Sequence, residues 1–144
     1  MSATRPARRL NPLHAEKLFI PFSNGSITAT TTVKCFSVPA GRELLVERVT
    51  YINPTGLTGD NTNNFRCEVK KGGTVAMLVF NTDTNDSPAG ATLAAGTWVA
   101  GAPPSGAVAG DVWLAETDAL DVVFTLEGAQ TLPAGNGVIE ARLY

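Results

Sequence analysis

Apolar and polar side chains alternate with a period of two along much of this chain, and that alternation leaves few folds open to it. From Ile27 to Cys35 the positions Ile27, Ala29, Thr31, Val33 and Cys35 oppose Thr28, Thr30, Thr32 and Lys34. Successive side chains of a strand point to opposite faces, so this pattern predicts a half-buried strand, and its β-branched residues suit one. Phe65, Cys67 and Val69 alternate in the same way with Arg66, Glu68 and Lys70, as do 120–127 and 137–144. No amphipathic helix of ten or more residues can be drawn anywhere, so strands must carry the core.

Turn residues divide the pattern. Val38-Pro39-Ala40-Gly41 precedes a strand over 43–52 in which Leu44 and Val46 share a parity that Val49 and Tyr51 do not, which predicts a bulge near Glu47-Arg48. Gly72-Gly73 predicts a tight hairpin, because glycine accepts the positive φ angles such turns need. The returning strand, 75–80, is apolar on both faces. From Ser87 to Gly110, sixteen of twenty-four residues are Gly, Ala or Pro. That stretch reads as a long excursion in which only Thr97-Trp98-Val99 has β character. Strands resume at 111–116, 120–127 and 137–144. The count is about eight, which suits an all-β, two-sheet β-sandwich, a jelly roll or another Greek-key arrangement. Residues 1–16, basic and interrupted by Pro6 and Pro12, read as an extended N-terminal arm, and 17–144 as the domain.

Composition narrows the function classes. With 44% hydrophobic and 17% charged residues the chain has the makings of a packed core. A net charge of −2 gives no basic footprint for nucleic acid, and no apolar run approaches the ~20 residues of a membrane-spanning helix. The N-terminus has positive charge without a following apolar stretch, so no Sec-type secretion is expected. Cys35 and Cys67 fit no zinc or redox spacing and are expected to be free, buried thiols.

The sole histidine, His14, lies in the arm, which disfavours a Ser-His-Asp or Cys-His arrangement. Asp111, Glu116, Asp118 and Asp121 are read as a solvated rim and turn caps rather than a paired acid and base. Asp83-Thr84-Asn85-Asp86-Ser87 begins like a calcium loop but has Pro88 at the sixth position and Ala94 at the twelfth, and Asp60–Asn63 reads as a polar turn. No enzyme, cofactor, metal site or small-molecule substrate is expected. Two features point to protein partners instead. Arg5, Arg8 and Arg9 are candidate tethers to an acidic surface, with a solvated tail as the bland reading. Met77, Leu78, Val79, Phe80 and Trp98 are candidate interface residues, because a strand with two apolar faces needs cover and a second subunit is the better candidate to supply it.

The run from Phe36 to Tyr51 (FSVPAGRELLVERVTY) and the closing Leu132–Tyr144 (LPAGNGVIEARLY) resemble small structural proteins of tailed bacteriophages, in particular capsid decoration, or cement, proteins with a jelly-roll fold. The resemblance implies a protein on the outside of an icosahedral shell, a homodimer or homotrimer that bridges neighbouring major capsid protein subunits, with its terminus extended as an arm. It also implies synthesis in the host bacterial cytoplasm and residence on the virion exterior. A receptor- or carbohydrate-binding module of a phage tail or fibre is the rival reading, with Trp98 its candidate platform. A hydrolase using the carboxylates is the third.

Overall fold

The computed structural model describes residues 15–87, 89–103 and 112–144. Seven strands are long: β1 (Glu16–Asn24), β2 (Thr31–Ser37), β3 (Leu44–Ile52), β4 (Asn64–Lys71), β5 (Thr74–Asn81), β8 (Ala119–Glu127) and β9 (Gly135–Leu143). Two are short: β6 (Trp98–Ala100) and β7 (Trp113–Leu114). They form two antiparallel sheets packed face to face, a five-stranded one ordered β1-β9-β3-β6 with β7 also on β3, and a four-stranded one ordered β2-β8-β4-β5. This is the expected all-β, jelly-roll-like sandwich.

The alternation decides what each sheet buries. On β3 the inward positions are Leu44, Val46, Val49 and Tyr51, all buried, and parity is preserved by a register shift between Val46 and Arg48, where the sequence calls for a bulge. On β9 Ile139, Ala141 and Leu143 point inward, and on β8 Leu120, Val122 and Phe124 do. Phe22, Tyr51, Phe80 and Phe124 meet between the sheets with ring centroids 5.1–6.3 Å apart. Gly137 is required here because a Cβ would enter the Phe22 ring.

Three local readings change. The strand expected from Ile27 begins at Thr31: Ile27 makes only a two-bond bridge to Leu132, at 3.1 and 2.8 Å, because 25–30 carries the chain from one sheet to the other. The strand expected over 111–116 is reduced to Trp113–Leu114 within the described residues. With β6 and β7 counted, the described residues hold nine strands, in keeping with the expected count of about eight.

The third change concerns β5. Register shifts between Cys67 and Glu68 and between Val69 and Lys70 leave Ala76 and Val79 as extra residues on β5, so its buried positions no longer alternate. Met77 and Phe80 face the core opposite Val69 and Cys67. The free edge of β5 is met by the chain's own excursion. Leu78 exchanges hydrogen bonds with Ala102, at 2.8 and 3.0 Å, and Ala91 N–H donates to the Asn81 carbonyl at 2.9 Å. A Cβ on Gly90 would strike the backbone of Asn81 and Asp83. Small residues let this segment lie directly on the strand, so a composition too poor to build strands of its own is suited to covering one.

One end of the sandwich is closed by a buried polar knot. The Tyr51 hydroxyl donates to Asn24 Oδ1 (2.8 Å) and accepts from Asn53 Nδ2 (3.2 Å), and both asparagines donate to the Pro133 carbonyl. Every member has a partner, as burial demands. Burial pushes the Tyr51 phenol up to about 12.

Candidate protein-binding face

The outward positions of the five-stranded sheet follow from the same alternation. Register pairs place them in rows across the strands: Ser23, Asn136, Ile52 and Trp98 in one; Pro21, Val138, Thr50 and Ala100 in the next; then Phe19, Glu140 and Arg48; then Lys17, Arg142, Leu45 and Trp113. The face therefore divides. The half nearer the end of β1 carries no charged side chain and sets Pro21, Val138, Ile52, Ala100 and Trp98 among Ser23, Asn136 and Thr50, and a shallow groove of about 390 Å³ there is lined by Pro21, Phe22, Ser23, Trp98, Asn136, Gly137 and Val138. The other half is a belt of paired charges.

In that belt Glu47, the extra residue of the β3 bulge, accepts from Lys17 Nζ at 2.6 Å and from Arg142 Nε at 3.1 Å. Lys17 also lies 3.5 Å from Glu140, and Arg48 lies 3.9 Å from Glu140. The hydrogen bond from Lys17 holds the Glu47 carboxyl below its ordinary value and, reciprocally, raises the Lys17 ammonium. Lys17 Nζ also stands 5.7 Å from the centroid of the Phe19 ring. Phe19 at 63% and Trp98 at 56% are the exposed large hydrophobic residues among those described. One sits on the edge strand β1 and the other on β6.

The interface candidates read from the sequence are thus separated. Met77, Val79 and Phe80 are buried inside the chain, Leu78 is half-buried beside Ala102, and Trp98 stands in the open. Arg5, Arg8 and Arg9 lie outside the described residues, as do His14 and Asp111. Phe19 was missed in the sequence because β1 alternates weakly, with Pro21 in mid-strand; membership of an edge strand, with Phe19 in register with outward Glu140 of β9, is a tertiary fact.

The remaining polar groups have structural work. Glu116 accepts from the Gly41 N–H at 2.5 Å and Asp118 from the Ala115 N–H at 2.9 Å. Asp121 lies on the outward side of β8 in register with Lys34 and Lys70. Asp60 accepts from the backbone of Thr62 and Asn63, and these bonds hold its carboxyl below the ordinary value, so 60–63 is the polar turn expected. Asp86 pairs with Arg66 and accepts from Asn81 at 2.7 Å, in a polar cleft that also holds Glu68, Asp83 and Glu127. Among the described residues no three His, Cys, Asp or Glu side chains come together as metal ligands. Both cysteines are free; burial pushes Cys35 up to about 11 and raises the buried Cys67 well above its ordinary value.

No protein-family model and no curated protein matches the chain. Among solved structures it is similar to a chain of the cyanophage Pam1 capsid asymmetric unit, at 13% identity over 99% of this chain and 96% of that one, with a TM-score of 0.39. It is also similar to a chain of the T13 infectious bursal disease virus particle, at 12% identity over 96% of this chain and 35% of that one (TM-score 0.42). A chain of the Gt strain of that virus gives 14% identity, with 96% and 37% covered and a TM-score of 0.41. The chain spans about a third of the length of these last two.

Proposed function

We propose that the chain is a non-enzymatic viral structural protein that attaches to the outside of a phage capsid and cements neighbouring major capsid protein subunits, acting as a homodimer or homotrimer. The observation that carries this reading is the half-apolar outer face of the five-stranded sheet, with Phe19 63% and Trp98 56% exposed. Rigid strands hold both aromatics, and aromatic side chains in the open on a rigid scaffold are favoured anchors for a protein partner. The two runs that resemble decoration proteins map to the β2–β3 connection with β3, and to β9 with the turn before it. Those strands form the middle of this sheet. Arg5, Arg8 and Arg9 would add an electrostatic tether to an acidic shell surface.

The test is co-sedimentation of the full chain with shells of a tailed phage assembled without their decoration protein. Saturable binding is expected, and a chain starting at Lys17 should bind more weakly while melting at nearly the same temperature. Failure to bind any shell would overturn the reading. Exposure of Trp98 also favours the receptor- or carbohydrate-binding alternative, for which retention on a glycan array, abolished in Trp98→Ala, is the corresponding result.

A further inference from the structure

We infer that a second copy of this chain docks on the outer face of the five-stranded sheet, sheet against sheet, about a two-fold axis running along the seam between β9 and β3. The inference deepens the self-association in the proposed function by assigning it a surface and a symmetry. It does not require that the partner shell be a capsid.

That axis exchanges β9 with β3 and β1 with β6, so each outward residue of β9 or β3 comes to face its own register partner in the other copy, and β1 comes to face β6 of the same row. Glu140 is the register partner of Arg48, so Glu140 faces the partner's Arg48 and Arg48 faces the partner's Glu140. Opposite charges meet twice, near the centre of the contact. Within one chain these two are 3.9 Å apart, the longest of the belt's ion pairs, and Arg48 is well exposed, so both have capacity for a further partner. In the next rows Val138 faces the partner's Thr50, and Trp98 faces the partner's Ser23. The uncharged half then covers the uncharged half, and the groove beside Pro21 and Val138 receives the partner's indole.

A two-fold axis across the strands would instead lay the charged belt on the uncharged half and desolvate its ion pairs without opposite charges to meet them. The size is also adequate. Three long strands and the two short ones, ~3.3 Å per residue and ~4.8 Å apart, give a face of about 500 Å², so a pair buries about 1,000 Å². That matches the ~1,000 Å² a specific interface needs and sits at the weak end of the range, so dissociation in the micromolar range or weaker is expected. Twisted sheets pack at about 30° in this way.

Charge exchange at the centre tests the geometry. The full chain is examined by sedimentation velocity across the micromolar range, alone and as Glu140→Lys, Arg48→Glu and Trp98→Asp. Wild type should sediment as a dimer. Each charge variant should dissociate about tenfold more readily or worse, and Trp98→Asp should be monomeric. Mixing Glu140→Lys with Arg48→Glu should restore a heterodimer, because every cross-copy pair is then opposite in sign while each chain keeps its own internal repulsion; a merely structural role for the two residues would not give that rescue. A wild-type monomer, a trimer, or a mixture that fails to rescue would overturn the inference. Shell binding by a monomeric wild type would leave the capsid reading standing, and a dimer that binds no shell would leave this one standing.

Discussion

The two outer faces of the sandwich are built by one rule and end differently. On the four-stranded sheet the central strands turn out Arg66, Glu68 and Lys70 from β4 and Asp121, Val123 and Thr125 from β8, so charge of both signs is spread along the whole length. On the five-stranded sheet the central strands turn out Asn136 and Val138 from β9 and Thr50 and Ile52 from β3, and the charges gather at one end. An antiparallel sheet commonly solvates its second face, and the four-stranded sheet does so. The other half-declines, and what it leaves exposed is aromatic. The difference shows that alternation alone does not mark a face as solvent-facing; the chemistry of the outward set must be read after the strands have been paired.

The largest effect expected from the comparison concerns the opposite, inward sides. Tyr51 belongs to the five-stranded sheet and Cys67 to the four-stranded one, and both are sealed, with acidities pushed in the same direction. A group whose proton is held more tightly in the folded state contributes stability that is full below its unfolded value and lost as pH rises through its folded value. For Tyr51 the window runs from its ordinary 10.0 to about 12, and the loss across it is roughly 2–3 kcal/mol. The thiols begin theirs near 9.0. Urea unfolding should therefore show stability falling steadily above pH 9, and Tyr51→Phe should flatten the portion above pH 10. A curve flat to pH 11 would mean that the sheets are not sealed against each other as described.

Neighbouring residues of β9 sharpen the contrast on a smaller scale. Gly137 points inward, where an added Cβ would meet the Phe22 ring, whereas Val138 points outward into the groove. Gly137→Ala should cost about 1–3 kcal/mol by overpacking, even though alanine is ordinarily the better strand residue of the two. Val138→Thr should cost well under 1 kcal/mol. Thermal melts of the two variants decide it, and equal losses would mean that the faces of β9 had been assigned the wrong way round.

How much of this was legible in the sequence depends on how local the signal is. The bulge at Glu47 is local, a break in parity inside one strand, and so is the Gly72-Gly73 hairpin, where both residues take positive φ. The free state of Cys35 and Cys67 and the polar turn at Asp60 were legible for the same reason. The cover of β5 was not. Sequence shows a strand with two apolar faces and a stretch of glycine and alanine, but nothing in either says that small side chains are there to let the second lie against the first. Phe19 escaped for the complementary reason: its exposure depends on the register of β1 with β9, which is set at the far end of the chain by Glu140 and its neighbours.

The smallest change in stability should come with the clearest difference between the faces. Trp98 and Val123 stand outward on opposite sheets, the first in the open at 56% exposure and the second half-buried among charged neighbours. Replacing either by serine removes apolar surface that folding does not fully bury, so Trp98→Ser should leave the urea midpoint almost unmoved, within about 0.5 kcal/mol, and Val123→Ser should cost at most about 1 kcal/mol. Retention on a hydrophobic-interaction column should nevertheless separate them. Trp98→Ser removes the largest apolar group of a contiguous patch and should elute distinctly earlier than wild type, whereas Val123→Ser, taken from a face already broken up by Arg66, Glu68 and Lys70, should elute with it. Measured at a concentration low enough to keep every variant monomeric, this isolates the patch from any association it mediates. If both variants elute with wild type, the five-stranded face is no stickier than the other, and the division drawn between them fails at its simplest point.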